Sequence, residues 1–382
     1  TDVTGAIAIG TSSQTAMTAD GANTMIGHNS GMALMTGVTN TALGYHAMKD
    51  AGAVESNNVA IGSHSMSACD EGSNGTIDYN IAIGKDALTG GDLGTSTAQL
   101  QKNIAIGGNA LNSTGTALNS GNTAQVGTIA IGHDALTACT TGAGNLAIGY
   151  TALISTTTGA SNVVIGYQAG YNMTTTSNTV LIGYNAGVGI DAANTDSNGV
   201  VCVGNSSGAE ITTGGGHVFM GYHSGQFATT ADNSTFIGYQ AGQGITGTRL
   251  TGNDNTAVGK DAGLLLQGAA HSNVLIGSLA GDAITTSYSN TLLGSHAGRG
   301  LTAGDGENVF IGHSAGLDAD NATVDSIKNV YVGKSAGENL DDGQYNVAVG
   351  YKAMESSGAG NNALYNTGVG FLALNAVTTA DN

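Results

Sequence analysis

One nine-residue phrase, Asn162-Val163-Val164-Ile165-Gly166-Tyr167-Gln168-Ala169-Gly170, is rewritten along the whole chain. Its fifth residue, a Gly, serves as an anchor. Anchors fall at Gly10, Gly27, Gly44, Gly62, Gly84, Gly107, Gly132, Gly149, Gly166, Gly183, Gly204, Gly221, Gly238, Gly259, Gly277, Gly294, Gly312, Gly333, Gly350 and Gly370. These twenty copies lie 17 to 25 residues apart, 17 being the commonest gap. A unit this short cannot bury its apolar face alone, so copies must stack, and self-similarity at a short period predicts a solenoid.

Positions are counted from the anchor. Position −1 is aliphatic or Met and position −3 is Val, Ile, Leu or Thr in all twenty copies. Two β-favouring residues two apart read as one face of a short strand, and the interior is the face assigned to them. Position −2 is then expected to point outward. It is Ala in much of the first half and larger later, as at Leu181, Phe219, Phe236, Leu275, Leu292, Phe310 and Tyr331. Large apolar side chains on an outward face make a stripe of the kind that marks an interface, so these seven are the candidates for lateral contact between chains. An unvarying Gly at the corner suggests φ > 0 or a backbone approach that a Cβ would forbid. Gly62, Gly84, Gly107, Gly149, Gly166, Gly183, Gly238, Gly277, Gly312 and Gly350 are the structural anchors expected to matter most. Position +3 is Ala in fifteen copies and Ser in five, a tight inward corner. Position +4 is Gly from Gly170 to Gly337 but Leu or Met from Met48 to Leu153 and again at Met354 and Leu374, which defines two subtypes of coil. Position −4 is Asn in fourteen copies, and stacked Asn side chains can form an amide ladder.

Gly is abundant, at 63 of 382 residues, and charge is sparse, at 9%, yet disorder is not expected, because the apolar residues recur at fixed positions and can be buried together. The absence of Pro fits a backbone whose N–H groups are nearly all needed in ladders. A net charge of −18, from 9 basic and 27 acidic residues, argues against nucleic-acid partners, which require a basic stripe, and against an anionic membrane surface. The bland reading of the acidity is solubility for a long, otherwise uncharged array. Cys69, Cys139 and Cys202 lie in distant repeats and cannot pair within one chain, so they read as small apolar fillers or surface thiols. No apolar run is long enough to insert in a membrane. The inter-motif segments are polar, with long ones at 69–80, 89–102 and 112–128 that are expected to project as loops. No composition break separates domains. A single solenoid array over residues 1–376 is expected, with 377–382 as a tail or linker, the chain reading as a piece of something longer.

The pattern Asn-[Thr/Val]-Ala-Ile-Gly-Tyr-x-Ala-[Gly/Leu] resembles the repeats of bacteriophage tail-fibre proteins. It is also similar to the head repeats of trimeric adhesins of the YadA type. Asn80-Ile-Ala-Ile-Gly84, Asn103-Ile-Ala-Ile-Gly107 and Asn346-Val-Ala-Val-Gly350 carry it most plainly, and the resemblance covers the whole chain. It implies a left-handed parallel β-roll that trimerises side by side and attaches to a host surface. That would place the chain on a virion or, in the alternative, as a stalk or head on a bacterial cell surface, with other virion or fibre segments at both ends and a host receptor, in one version a glycan, as partners. The coils here are a few residues longer than in that family, and −2 is more varied. A homotrimer has an independent argument: each coil encloses few side chains, and so thin a core draws on partner chains. At ~4.8 Å per coil the array would be a rod roughly 95 Å long.

Chemistry is thinly represented. Tyr150, Tyr167 and Tyr184 occupy +1 in succession and Tyr222 precedes Tyr239, a column that could stack sugars or simply stack on itself. His46 and His64 occupy +2 in consecutive coils, but the sequence holds no His-x-His, and a solvated corner is the reading adopted. Asn194, Asp196 and Asn198 have the spacing of the first half of a Ca²⁺ loop. The twelfth position is Asn205, where a bidentate Glu is needed, so an Asx-rich turn is expected and no cofactor. A β-helix that degrades carbohydrate would need two or three convergent carboxylates, whereas acidic residues here are scattered and Gly-x-Ser-x-Gly and His-Glu-x-x-His are absent. The expectation is a structural and adhesive protein and not an enzyme, with a carbohydrate-binding or carbohydrate-degrading β-helix as the alternative from another class. The threonine runs 156–158 and 174–176 are read as loops outside any common register.

Overall fold

Each repeat contributes a three-residue strand that stops one residue before its anchor, as in Leu146–Ile148, Val163–Ile165 and Val180–Ile182. A computed structural model describes residues 5–375, except 19–20, 53, 70–74, 91–98, 113–123, 191–196, 305, 319–325, 341–342 and 357–362. It is all-β, with no α-helix among the described residues, and the strands stack as a parallel β-solenoid. Register is kept without a slip: Leu146 pairs with Val163 and Val163 with Val180, so each position sits over its equivalent in the next coil. The chain divides into two compact units, Thr1–Asn198 and Gly199–Asn382. In the first, the main stack runs from Ile7–Ile9 to Val180–Ile182, with a minor ladder of Gln99–Gln101 on Ala124–Val126. In the second it runs from Val201–Val203 to Thr367–Val369, with two further columns of single bridges, one joining Ala228, Leu250 and Gly268 and the other running from His271 to Leu364.

The interior corrects the expected strand polarity. Position −2 points inward, and −3 and −1 point outward. The residues proposed above for lateral contact, Leu181, Phe219, Phe236, Leu275, Leu292, Phe310 and Tyr331, are all 0% exposed. The reason is parity. In a strand, residues two apart share a face, so −2 must lie on the same side as −4, and −4 carries the Asn whose amide has to be inside to join the ladder. Asn162 shows the pattern: its backbone N and its Nδ2 both donate to Asn145 Oδ1, at 3.0 and 3.1 Å, and Nδ2 also donates to the Thr176 carbonyl at 3.0 Å. The same links join Asn23 through Asn103 and Asn255 through Asn366. They satisfy buried backbone groups that no strand ladder reaches.

The +3 Ala is buried beside −2, and where Ser replaces it the hydroxyl donates to the carbonyl of the next coil's −2 residue, as Ser65 Oγ does to Ala82 (3.0 Å) and Ser224 Oγ to Phe236 (2.7 Å). A further inward position, +7, completes the core, with Met173, Ile190, Ile211, Leu266 and Leu301 all fully buried. Cys69 and Cys139 fill +7 and Cys202 fills −2, and burial pushes all three thiols up from their ordinary range. They are fillers.

The anchor glycines have φ between +131° and +146°. From Gly10 to Gly166 and from Gly204 to Gly350, a Cβ added to one would strike the carbonyl of the next, backbone against backbone. Only Gly fits there.

Candidate functional surface

With −2 inside, the outward face of the strands carries the −1 residues, aliphatic or Met in every coil, and the −3 residues, which are Val, Ile, Leu or Thr. They are partly exposed throughout, and at −1 Met220, Ile237, Ile276 and Leu293 are 36% to 45% exposed. Leu43 lies in the same column of the first unit, at 45%. Sequence reasoning took these residues for core because they are apolar and constant. The usable signal was the buried Asn two positions before −2. Within each unit the −1 side chains form a continuous apolar column along the stack, of a kind that soluble monomers rarely expose.

Beside the stripe, at the corner after the anchor, the +1 rings form columns. Tyr150 lies on Tyr167 and Tyr167 on Tyr184, each at 5.3 Å between centroids, with planes 13° and 7° apart. His133 continues the column below Tyr150 at 5.8 Å, and Tyr222 stacks on Tyr239 at 5.3 Å. A sugar stacks on an open ring face. Tyr167 has both faces covered by its neighbours, so the column offers ring edges and hydroxyls, and its geometry is that of a self-stacking ladder.

His46 and His64 are brought together, His46 Nδ1 and His64 Nε2 being 3.2 Å apart, while Asn29 Nδ2 lies 3.1 Å from His46 Nε2. Partial desolvation and the neighbouring His64 lower the affinity of His46 for a proton. Among the described residues no group of three or more His, Cys, Asp or Glu side chains converges to hold a metal. Of the Ca²⁺ candidates, Asn194 and Asp196 lie outside the described residues, and Asn198 Oδ1 accepts from the Ser177 backbone N at 2.7 Å. Burial raises the Asp282 carboxyl, but the charged groups acting on it are Arg299, 3.5 Å away, and His296, not a second acid. The threonines, contrary to expectation, do keep register over three coils: Thr140 Oγ1 donates to the Thr157 carbonyl (3.1 Å) and Thr157 Oγ1 to that of Thr174 (3.3 Å). Their hydroxyl protons are thereby spent on the next coil.

No helix among the described residues is long and apolar enough to cross a membrane. In comparisons with known proteins, no family model matches the chain and no curated protein is significantly similar to it.

Proposed function

We propose that this chain is a shaft segment of a trimeric attachment fibre, of the kind phage tails carry, and that three copies pack side by side through the outward −3/−1 stripe. The observation that carries the reading is that stripe: an aliphatic or Met side chain kept at the outward −1 position in every coil, beside Val, Ile, Leu or Thr at −3, where solubility alone would favour Lys or Glu. The buried −2 residues no longer support it. Left-handed winding and attachment to a host surface rest on the resemblance of the repeats to tail-fibre and YadA-type sequences. A bacterial surface adhesin stalk is the same reading in another setting.

Light scattering on residues 1–382 tests the assembly. A mass near three times 37.5 kDa is expected. Leu293→Lys, at an exposed position, should leave the folded protomer nearly as stable, within about 0.5 kcal/mol, while releasing monomer. A wild-type monomer of 37.5 kDa would overturn the reading.

A further inference from the structure

In the second unit the amide ladder changes chemistry. Its −4 positions run His217, Ser234 and then Asn255. Asn255 N donates to Ser234 Oγ at 3.4 Å, and Ser234 N donates to His217 Nδ1 at 3.3 Å. His217 is 0% exposed and stacks on Phe219 with centroids 4.6 Å apart. Its Nε2 faces the Ala231 carbonyl, as an Asn amide at this position faces its own carbonyl in the next coil, although no full hydrogen bond is completed. Gly214 gives the ring room, since a Cβ there would meet both the Ala231 carbonyl and His217 Nε2.

Histidine thus stands in for asparagine, Nδ1 accepting as Oδ1 would and Nε2 turned toward the carbonyl that Nδ2 would reach. Only the neutral ring can do this, with its proton on Nε2 and a lone pair on Nδ1. An imidazolium would aim Nδ1–H at the N–H of Ser234 and leave both buried donors unpaired. We propose that the His217–Ser234 step is an acid-sensitive joint, at which one protonation uncouples neighbouring coils. The groups around the ring do not relieve the conflict: Phe219 and Ser234 are neutral, and the one charged group acting on it, Asp232, already accepts from Gly215 N at 3.0 Å. Burial lowers the proton affinity of His217, against smaller opposing pulls from the Ala231 carbonyl, Asp232 and Ser234. A folded value below the roughly 6.5 of an unfolded His means that the stabilisation is complete above about pH 6.5 and is lost as the pH falls toward the folded value. The all-Asn steps contain no group that titrates in this range.

Amide hydrogen exchange of the full chain between pH 5 and pH 8 tests this. After correction for the intrinsic rate, protection of the Ser234 amide should fall as the pH drops below about 6.5, with a limiting slope of about tenfold per pH unit for one proton. The Thr179 amide, which donates to Asn162 Oδ1 at 3.0 Å, serves as the internal control and should stay flat. In His217→Asn, Ser234 should behave as Thr179 does. Parallel profiles for Ser234 and Thr179 in the wild type would overturn the proposal, and so would an acid dependence that survives in His217→Asn. Should that variant fail to fold, the two wild-type amides decide the matter.

Discussion

The coils anchored from Gly44 to Gly149 and those anchored from Gly221 to Gly333 share one backbone but fill it in opposite ways. The first group has Ala at −2 and Leu or Met at +4, as in Ala147 with Leu153. The second mostly has a large −2 and Gly at +4, as in Phe219 with Gly225, Phe236 with Gly242, Phe310 with Gly316 and Tyr331 with Gly337. The two positions share one volume. In each aromatic coil a Cβ on the +4 Gly would run into the −2 ring of the same coil. Backbone conformation does not explain these glycines, since Leu153 at φ 51° and Gly316 at φ 57° adopt the same left-handed geometry. Ala257 with Gly263 is the exception that supports the rule, because Leu266 at +7 and Leu275 of the next coil fill the gap. What looks like two coil types is one packing equation with two solutions.

The largest effect is expected where the two groups do not differ. Gly149→Val and Gly238→Val each force a Cβ against the carbonyl of the next anchor, and no rotamer relieves a clash between backbones. Both should lose more than about 4 kcal/mol on urea denaturation, an exceptional loss for one substitution. If one group tolerated the change and the other did not, the shared backbone would be the wrong premise.

The next effect separates packing from backbone. Phe310→Ala leaves a cavity worth about 3–5 kcal/mol, and Gly316→Leu overpacks the coil by about 1–3 kcal/mol. Together they recreate the Ala/Leu solution of the other group, so the double variant should return to within about 1.5 kcal/mol of the wild type. Losses that simply add would refute the shared volume.

This relation marks what was legible in the sequence. The repeat, its register, the anchors and the Asn ladder could be read directly, because each recurs at a fixed offset. The strand face was misread because Ile165 and Ile148 look like core while Ala147 looks like filler. The parity that links Asn145 to Ala147 puts both on one face, and it is the sequence feature that sets the strand's polarity. Position +7 was harder to find: Met173 and Ile190 stand alone in polar segments whose lengths vary, and only the three-dimensional path of the coil shows that they turn inward. The exposed tyrosines could be placed, but sequence alone did not tell an open ring face from a covered one.

The ladder supplies a third, intermediate effect. Asn58 in the first group and Asn308 in the second are both fully buried. Asn58 Nδ2 donates to the Ile77 carbonyl at 2.9 Å and Asn308 Nδ2 to that of Ser326 at 2.8 Å, while each Oδ1 accepts from the next coil. Replacement by Ala removes the donor to one carbonyl and the acceptor of one N–H, at about 1–3 kcal/mol for each lost bond. Equal losses at the two sites are expected, because the amide makes the same two links beside Ala60 as beside Phe310. A loss at Asn308 much larger than at Asn58 would mean that the aromatic coils depend on the amide in a way the Ala coils do not.

The smallest effect lies outside the core. Tyr167 is stacked on both faces, by Tyr150 and Tyr184, whereas Tyr239 has one ring partner among the described residues, Tyr222. An aromatic pair contributes about 0.5–1.5 kcal/mol beyond the area it buries, and these rings are half-exposed, which places each contact at the lower end. Tyr167→Ala should therefore lose about 1 kcal/mol, and Tyr239→Ala about half as much. The same variants test the sugar-stacking role. The protein has no Trp, so intrinsic fluorescence reports on its 13 tyrosines, and a titration with neutral and acidic oligosaccharides can be followed directly. If the column only stacks on itself, Tyr167→Ala changes stability and leaves any sugar affinity where it was. A sugar that binds the wild type and is lost from Tyr167→Ala would instead mean that the ring edges and hydroxyls of the column are the recognition surface, because the ring faces are taken.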